Sequence, residues 1–130
     1  MRRFLKIILV LILILFIAGA GILFYLQKEL DKLILSPVKN INLMEMDDGV
    51  YKGSYSAFPV SVIVDVTIKD HKITEIELVE HSNGQGKPAE VITQKVIEEQ
   101  SLDVDSISGA TYSSKVILKA IEDALTKAEN

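Results

Sequence analysis

An uninterrupted apolar run near the amino terminus is the first pattern along the chain. Residues 7–26 contain no charged side chain, and about twenty apolar residues suffice for a helix to cross the hydrocarbon core of a bilayer. Residues 27–35 can extend this helix, and Ser36-Pro37 is expected to end it, because a residue that precedes proline avoids helical backbone. We predict a transmembrane helix over residues 1–27 and a stalk over residues 28–47.

The remaining residues, 48–130, carry the patterns of one folded domain, beginning with strands. Val50–Ser56 is predicted as the first strand. Val60–Ile68 alternates between apolar and polar residues, as a half-buried strand does. Lys72–Glu80 is predicted to return beside it after a turn at Asp70-His71, which makes the two segments a hairpin.

Two helices are predicted after the strands. Residues 88–100 open with Pro88, which is favoured in a first helical turn, and carry apolar residues at helical spacing. The closing helix is expected from about Tyr112 or Ser113 to Lys127. Its apolar stripe consists of Ile117, Ala120, Ile121, Ala124 and Leu125. Strands followed by helices predict an α+β domain with an antiparallel sheet and helices packed on one face.

Charge is distributed unevenly and excludes some functions. Residues 41–130 carry eight basic and sixteen acidic side chains, so this part has a net charge of −8. Such a domain repels nucleic acid and anionic lipid surfaces. The chain has no cysteine, which excludes disulfides, thiolate metal sites and a lipid-modified cysteine. No metal-ligand spacing and no Ser-His-Asp pattern is recognisable, so we predict neither a metal site nor a catalytic side chain.

The charges that flank the apolar run predict its orientation. Arg2, Arg3 and Lys6 precede it, and positive residues favour the cytoplasmic side. We therefore expect a single-pass plasma-membrane protein with a cytoplasmic amino terminus and an extracytoplasmic domain. A cleaved signal peptide is the alternative, since Ala18-Gly19-Ala20 resembles a cleavage site. Both alternatives carry the domain across the membrane.

Residues 105–114 combine several hydroxyl side chains with a Gly-Ala pair, directly ahead of the last predicted helix. The first N–H groups of a helix lack intrahelical partners, and the helix dipole favours an anion there. Small residues also let a ligand approach the main chain. This stretch therefore fits a phosphate-binding site. An ordinary N-cap, formed by serine or threonine, fits it as well.

The string DSISGAT, followed by YSS, resembles the flavinylation motif Asp-x-x-Ser/Thr-Gly-Ala-Thr of the FMN-binding domain family. That family includes the flavin-carrying subunits of the sodium-translocating NADH:quinone oxidoreductase and of the Rnf complexes, and flavodomains of extracellular electron transfer. The resemblance covers roughly residues 48–127. Its four blocks, in the family's order, are the opening DGVYKGSY, the strand pair, the loop HSNGQGK and the helix start SGATYSS.

The resemblance implies FMN as the cofactor, joined through its phosphate to the hydroxyl of Thr111. It implies that Ser108, Gly109 and Ala110 form the attachment turn, that Ser113 and Ser114 bind the phosphate or cap the helix, and that Asp105 is read by the flavin transferase. It further implies an electron-transfer module that works between a membrane donor and an extracytoplasmic acceptor, since the redox chemistry belongs to the flavin. The alternatives are a non-redox binding module and an accessory flavin subunit of a larger membrane complex.

The loop between the last predicted strand and the next helix is a second candidate for flavin contact. Its candidate residues are His81, Gly84 and Gly86, although glycines in such a loop also serve ordinary turns. The loop departs from the Glu-Thr-Pro-Gly type found in many family members. Four aromatic residues either stack on the isoalloxazine ring or pack within the domain. They are Tyr51, Tyr55, Phe58 and Tyr112.

Overall fold

The computed structural model describes residues 1–82 and 87–128. The chain divides into two compact units, Met1–Lys32 and Leu33–Asn130. Helix α1, Arg2–Leu35, supplies the first unit and has 34 residues, which corresponds to about 51 Å at 1.5 Å per residue. Among the described residues it is the one helix long and apolar enough to cross a membrane, a test that an amino-terminal signal sequence passes too. It ends directly before Ser36, as predicted.

Three strands form an antiparallel sheet in the second unit. They are β1 (Gly49–Ala57), β2 (Val60–Lys69) and β3 (Lys72–Ser82), and their order in the sheet is the order along the chain. Asp70 and His71 connect β2 to β3, both with positive φ, 51° and 59°. Two consecutive left-handed residues are typical of a type I′ hairpin turn, which matches the twist of the flanking strands.

The helices follow the strands in the chain, as predicted. A 3₁₀ helix, Lys87–Val91, leads into helix α2, Ile92–Glu99, and helix α3 spans Thr111–Ala128. A further 3₁₀ helix, Leu43–Glu45, precedes the sheet. Helix α3 packs on β1 and β2. The α+β fold, with an antiparallel sheet and helices against it, is confirmed.

The core lies between the sheet and α3. The apolar residues of β2 that alternate along the strand are all buried, as are those of the predicted stripe on α3. They are Val60, Val62, Val64, Val66 and Ile68 from the strand, and Ile117, Ala120, Ile121, Ala124 and Leu125 from the helix. Removal of this apolar surface from water stabilises the fold, by about 25 cal/mol per Å².

Gly53 lets β1 approach α3 closely. A Cβ atom added at this position would lie 2.7 Å from the Cβ of Ala124 and would also clash with the backbone of Ala120. Real Cβ atoms do not approach backbone and methyl groups this closely, so a side chain would push the strand and the helix apart. No local pattern in the sequence marks this contact.

Part of the predicted stalk packs within the second unit. Leu33, Ile41 and Met46 are buried members of its hydrophobic core. Lys119 on α3 donates a hydrogen bond to the carbonyl oxygen of Pro37 at 2.8 Å. The division into anchor, stalk and domain stays a prediction, and the structure adds that residues after Lys32 contribute to the core.

Side chains bind backbone groups of both edge strands. On β1, the carboxylate of Asp123 accepts the N–H of Ser54 at 2.9 Å, and Lys127 pairs with Asp123 at 2.6 Å. On β3, the amide of Gln100 accepts the N–H of Ile73 at 2.8 Å and donates to its carbonyl oxygen at 2.7 Å. Such contacts occupy edge groups that could otherwise pair with another chain.

Candidate functional site

A tight turn places the motif at the start of α3. The N–H of Ala110 donates to the carbonyl oxygen of Ile107 at 2.9 Å, and Gly109 has a φ of 79°. This φ matches the third residue of a type II turn, a position that favours glycine. A Cβ at Gly109 would meet no atom within 4 Å. The backbone angle, and not lack of space, therefore explains the glycine.

The buried hydroxyl of Ser114 holds this turn against the helix. It donates to the carbonyl oxygen of Ala110 at 2.8 Å and accepts the N–H of Ile107 at 3.0 Å. The N–H of Ser114 also donates to the carbonyl oxygen of Ala110, at 3.0 Å. One side chain thus connects both ends of the turn, which fixes the position from which α3 begins.

Thr111 is the first residue of α3 and is exposed. Within the described residues, neither its hydroxyl nor its N–H has a hydrogen-bond partner, and the N–H of Ser113 has none either. Unpaired N–H groups at a helix start bind anions, because they point outward and the helix dipole adds a positive potential. An exposed hydroxyl beside them fits a phosphate ester at this position.

The other motif residues divide between surface and core. Asp105, Ser108 and Gly109 are exposed, whereas Ala110 and Ser113 are buried. The three exposed residues thus precede Thr111 at the surface, and the two buried residues lie within the domain. An FMN contact by any of these residues stays a prediction.

Tyr112 connects the motif to the sheet. Its hydroxyl donates to the carbonyl oxygens of Phe58 at 2.9 Å and Ala57 at 3.1 Å, in the turn between β1 and β2. The strand register pairs Ser61 with Ser82, so β3 ends at the same end of the sheet as this turn. The first turn of α3, the β1–β2 turn and the end of β3 are therefore neighbours. No local pattern in the sequence indicated the tyrosine contact.

The second predicted contact region is only partly described. Gly84 and Gly86 lie outside the described residues. The side chain of His81, at the end of β3, is 4% exposed, and its Nδ1 lies 3.0 Å from Oε1 of Glu90. His81 thus joins β3 to the 3₁₀ helix before α2, with its ring directed into the protein. Flavin contact by His81, Gly84 and Gly86 stays a prediction.

The acidic turn before β1 is occupied by hydrogen bonds within the protein. The carboxylate of Asp48 accepts the N–H of Asp70 at 2.8 Å. His71 is exposed, as expected at a turn, but its Nδ1 also lies 3.1 Å from the carbonyl oxygen of Met46. Within residues 1–82 and 87–128, no three His, Cys, Asp or Glu side chains are grouped so that they could hold a metal ion.

Together, the fold and the turn define a small α+β domain that offers an exposed threonine and unpaired N–H groups to an anionic ligand. Comparison with known proteins agrees with this class. Residues 58–126, just over half of the chain, match the FMN-binding domain. The chain therefore belongs to the FMN-binding domain family, and its cofactor is FMN.

Two relatives place this domain in longer proteins. The chain is 33% identical over 84 residues to an uncharacterized protein of Treponema pallidum (strain Nichols), a match over 62% of this chain and 23% of that protein. It is 38% identical over 65 residues to the NADH:acrylate oxidoreductase of Vibrio harveyi, a match over 48% of this chain and 6% of that protein. The chain thus spans less than a quarter of either relative.

Proposed function

We propose that this protein is a membrane-anchored, extracytoplasmic electron-transfer module that carries FMN covalently on Thr111. The observation that carries the proposal is the exposed Thr111, whose hydroxyl has no hydrogen-bond partner within the described residues, at the start of α3 in a domain that binds FMN. Helix α1 supplies the anchor, and the basic residues ahead of its apolar run favour a cytoplasmic amino terminus.

Attachment is a phosphoryl transfer to the Thr111 hydroxyl, performed by a separate flavin transferase. The threonine oxygen attacks the phosphorus of FMN in a donor in which that phosphate is part of an anhydride, such as a flavin dinucleotide. A new oxygen–phosphorus bond forms, the anhydride bond breaks, the second nucleotide leaves with its phosphate, and the threonine proton is released. No electron is gained or lost in this step.

The residues of the turn have separate tasks in this proposal. The N–H groups of Thr111 and Ser113 bind the phosphodiester, whose negative charge the helix start accepts. Ser114 keeps the turn in place through its hydrogen bonds to Ile107 and Ala110. Asp105 and Ser108 are exposed beside the turn, so a transferase can contact and recognise them.

A covalent bond suits the proposed compartment. Helix-dipole stabilisation of an anion is about 0.3 to 1 kcal/mol, which cannot retain a dilute cofactor. A tether keeps the flavin at a permanently high effective concentration. When bound, the flavin supplies reversible electron transfer, and the protein positions it between a membrane donor and an extracytoplasmic acceptor.

A second candidate is an accessory flavin subunit of a larger membrane redox complex. The NADH:acrylate oxidoreductase supports it, because the matching segment there is a small part of a much longer protein. Copurification from native membranes separates the two candidates: a stable assembly of defined composition indicates a subunit, and the isolated chain indicates a module.

The attachment is tested by coexpression of the full chain with a flavin transferase. We expect a flavin-fluorescent band on a denaturing gel and a mass gain of one FMN phosphoester. Thr111→Ala should remove both signals. Thr126→Ala, at an exposed position near the other end of α3, is the matched control and should keep both. A fluorescent Thr111→Ala band would overturn the attachment site, and native protein without flavin would favour a non-redox binding module.

A further inference from the structure

Phe58 is the aromatic side chain of the described domain that remains in solvent. It is 79% exposed, whereas Tyr51, Tyr55 and Tyr112 are half-buried against the hydrophobic core. The Tyr51 hydroxyl donates to the carbonyl oxygen of Asp47 at 3.0 Å. The three tyrosines are thus used within the fold, and the phenylalanine ring is free to contact another planar group.

One side chain links the turn that carries Phe58 to the residue that follows Thr111. Tyr112 directly follows Thr111, and its hydroxyl holds the carbonyl oxygen of Phe58 at 2.9 Å. The Tyr112 hydroxyl also donates to the carbonyl oxygen of Ala57, whose side chain packs against the core. The exposed ring is therefore carried by a turn that is hydrogen-bonded to the first turn of α3.

We propose that the Phe58 ring packs against the isoalloxazine ring of the FMN on Thr111 and shields one of its faces from water. This inference rests on the proposed function. A phosphodiester on Thr111 leaves the isoalloxazine at the end of a five-carbon ribityl chain, which can reach the neighbouring turn. Aromatic rings associate in offset-stacked or edge-to-face arrangements. The tether raises the effective concentration of the isoalloxazine at the exposed ring of the neighbouring turn.

A tryptophan at this position provides the sharpest test. Indole quenches an excited flavin by electron transfer when the two rings are in contact. In the flavinylated full chain, Phe58→Trp should shorten the flavin fluorescence lifetime about threefold or more, because stacked rings are within contact distance. Val50→Trp is the matched control. Val50 is 64% exposed on β1, the strand that ends directly before Phe58. It lies about 23 Å from the turn at roughly 3.3 Å per residue, so the lifetime should not change.

A second variant tests the shielding itself. Phe58→Ala should raise the rate constant for quenching of the flavin by iodide about twofold, because one face of the ring becomes accessible. Equal lifetimes in the two tryptophan variants would overturn the inference, and so would iodide quenching that Phe58→Ala does not change. Either result would indicate that Phe58 contacts a protein partner or lipid instead.

The mass of each variant is measured first, which separates the two proposals. A chain without attached FMN contradicts the proposed function. A flavinylated Phe58→Trp chain with an unchanged lifetime contradicts only the contact between Phe58 and the flavin.

Discussion

The hydroxyl of Ser114 donates to the carbonyl oxygen of Ala110 at 2.8 Å while it accepts the N–H of Ile107 at 3.0 Å. Ser114→Ala would leave the half-buried N–H of Ile107 without its acceptor, whereas the carbonyl oxygen of Ala110 would keep its bond from the Ser114 N–H. We expect a cost of about 1 to 3 kcal/mol in the free energy of unfolding. Urea denaturation measures this cost. The same variant should accept flavin more slowly, since the turn before Thr111 loses its support.

Ser113→Ala is the control for that prediction. Ser113 is buried as well, but its hydroxyl makes no hydrogen bond within the described residues. Ser113→Ala should therefore lower the free energy of unfolding by clearly less than Ser114→Ala does. Equal losses in the two variants would show that burial, and not the bonds of Ser114, stabilises the turn.

Gly53→Ala should destabilise the domain through overpacking. The added methyl group would clash with the backbone of Ala120 and lie 2.7 Å from the Cβ of Ala124. Overpacking of this kind costs about 1 to 3 kcal/mol, or more where backbone must move. Gly49→Ala is the control, because there the nearest atoms belong to the Tyr51 side chain and lie at ordinary contact distances of 3.4 to 3.5 Å. A Gly53→Ala domain as stable as the Gly49→Ala domain would contradict the close approach.

Gln100→Ala should loosen the edge of β3. The side chain makes hydrogen bonds to both backbone groups of Ile73 and to the carbonyl oxygen of Ile97, and their loss should cost about 1 to 3 kcal/mol. Gln100 also has a φ of 51°. Gln100→Gly should therefore be more stable than Gln100→Ala by about 1 kcal/mol, because glycine adopts left-handed backbone without strain. The two unfolding curves in urea test this order.

The stability of the domain should decrease in acid partly through Asp123. Partial burial raises the pKa of this carboxyl, but the hydrogen bonds from Lys127 and from the Ser54 N–H outweigh burial and lower the pKa below its ordinary value. A lowered pKa in the folded state means that this contribution is present above the ordinary pKa and is lost as the pH falls through the folded pKa.

Asp123→Asn should therefore flatten the decline of unfolding free energy below about pH 4. The effect should be small, since the side chain is about one-third exposed and solvent screens such pairs. Asp103→Asn, at an exposed loop position, is the control. If the unfolding free energy of Asp123→Asn fell in acid as much as that of the wild type, Asp123 would not contribute to the acid dependence of stability.

Local patterns in the sequence predicted the elements of the fold. The alternation from Val60 to Ile68 became β2, and the stripe that includes Ile117 and Ile121 became the buried face of α3. These predictions succeed because burial of one face imposes a period of two on a strand and of about 3.6 on a helix. The motif around Thr111 was recognised differently, through the resemblance of its contiguous residues to the flavinylation motif of the FMN-binding domain family.

Contacts between distant residues were not predictable from such patterns. The close approach at Gly53, the link from Tyr112 to Phe58 and the binding of Ile73 by Gln100 each join separate elements. Nothing in the neighbouring sequence marks these residues, because each role depends on how the elements pack. The core position of Met46 within the predicted stalk has the same origin.

Peptide mass mapping of the protein from its native membranes tests the central claim most directly. Trypsin cleaves after Lys95 and Lys115, and the fragment between them contains Thr111 as its single threonine. We predict that this fragment carries the mass of one FMN phosphoester and that its fragmentation places the flavin on Thr111. An unmodified fragment, or flavin on any of its serines, would contradict the account.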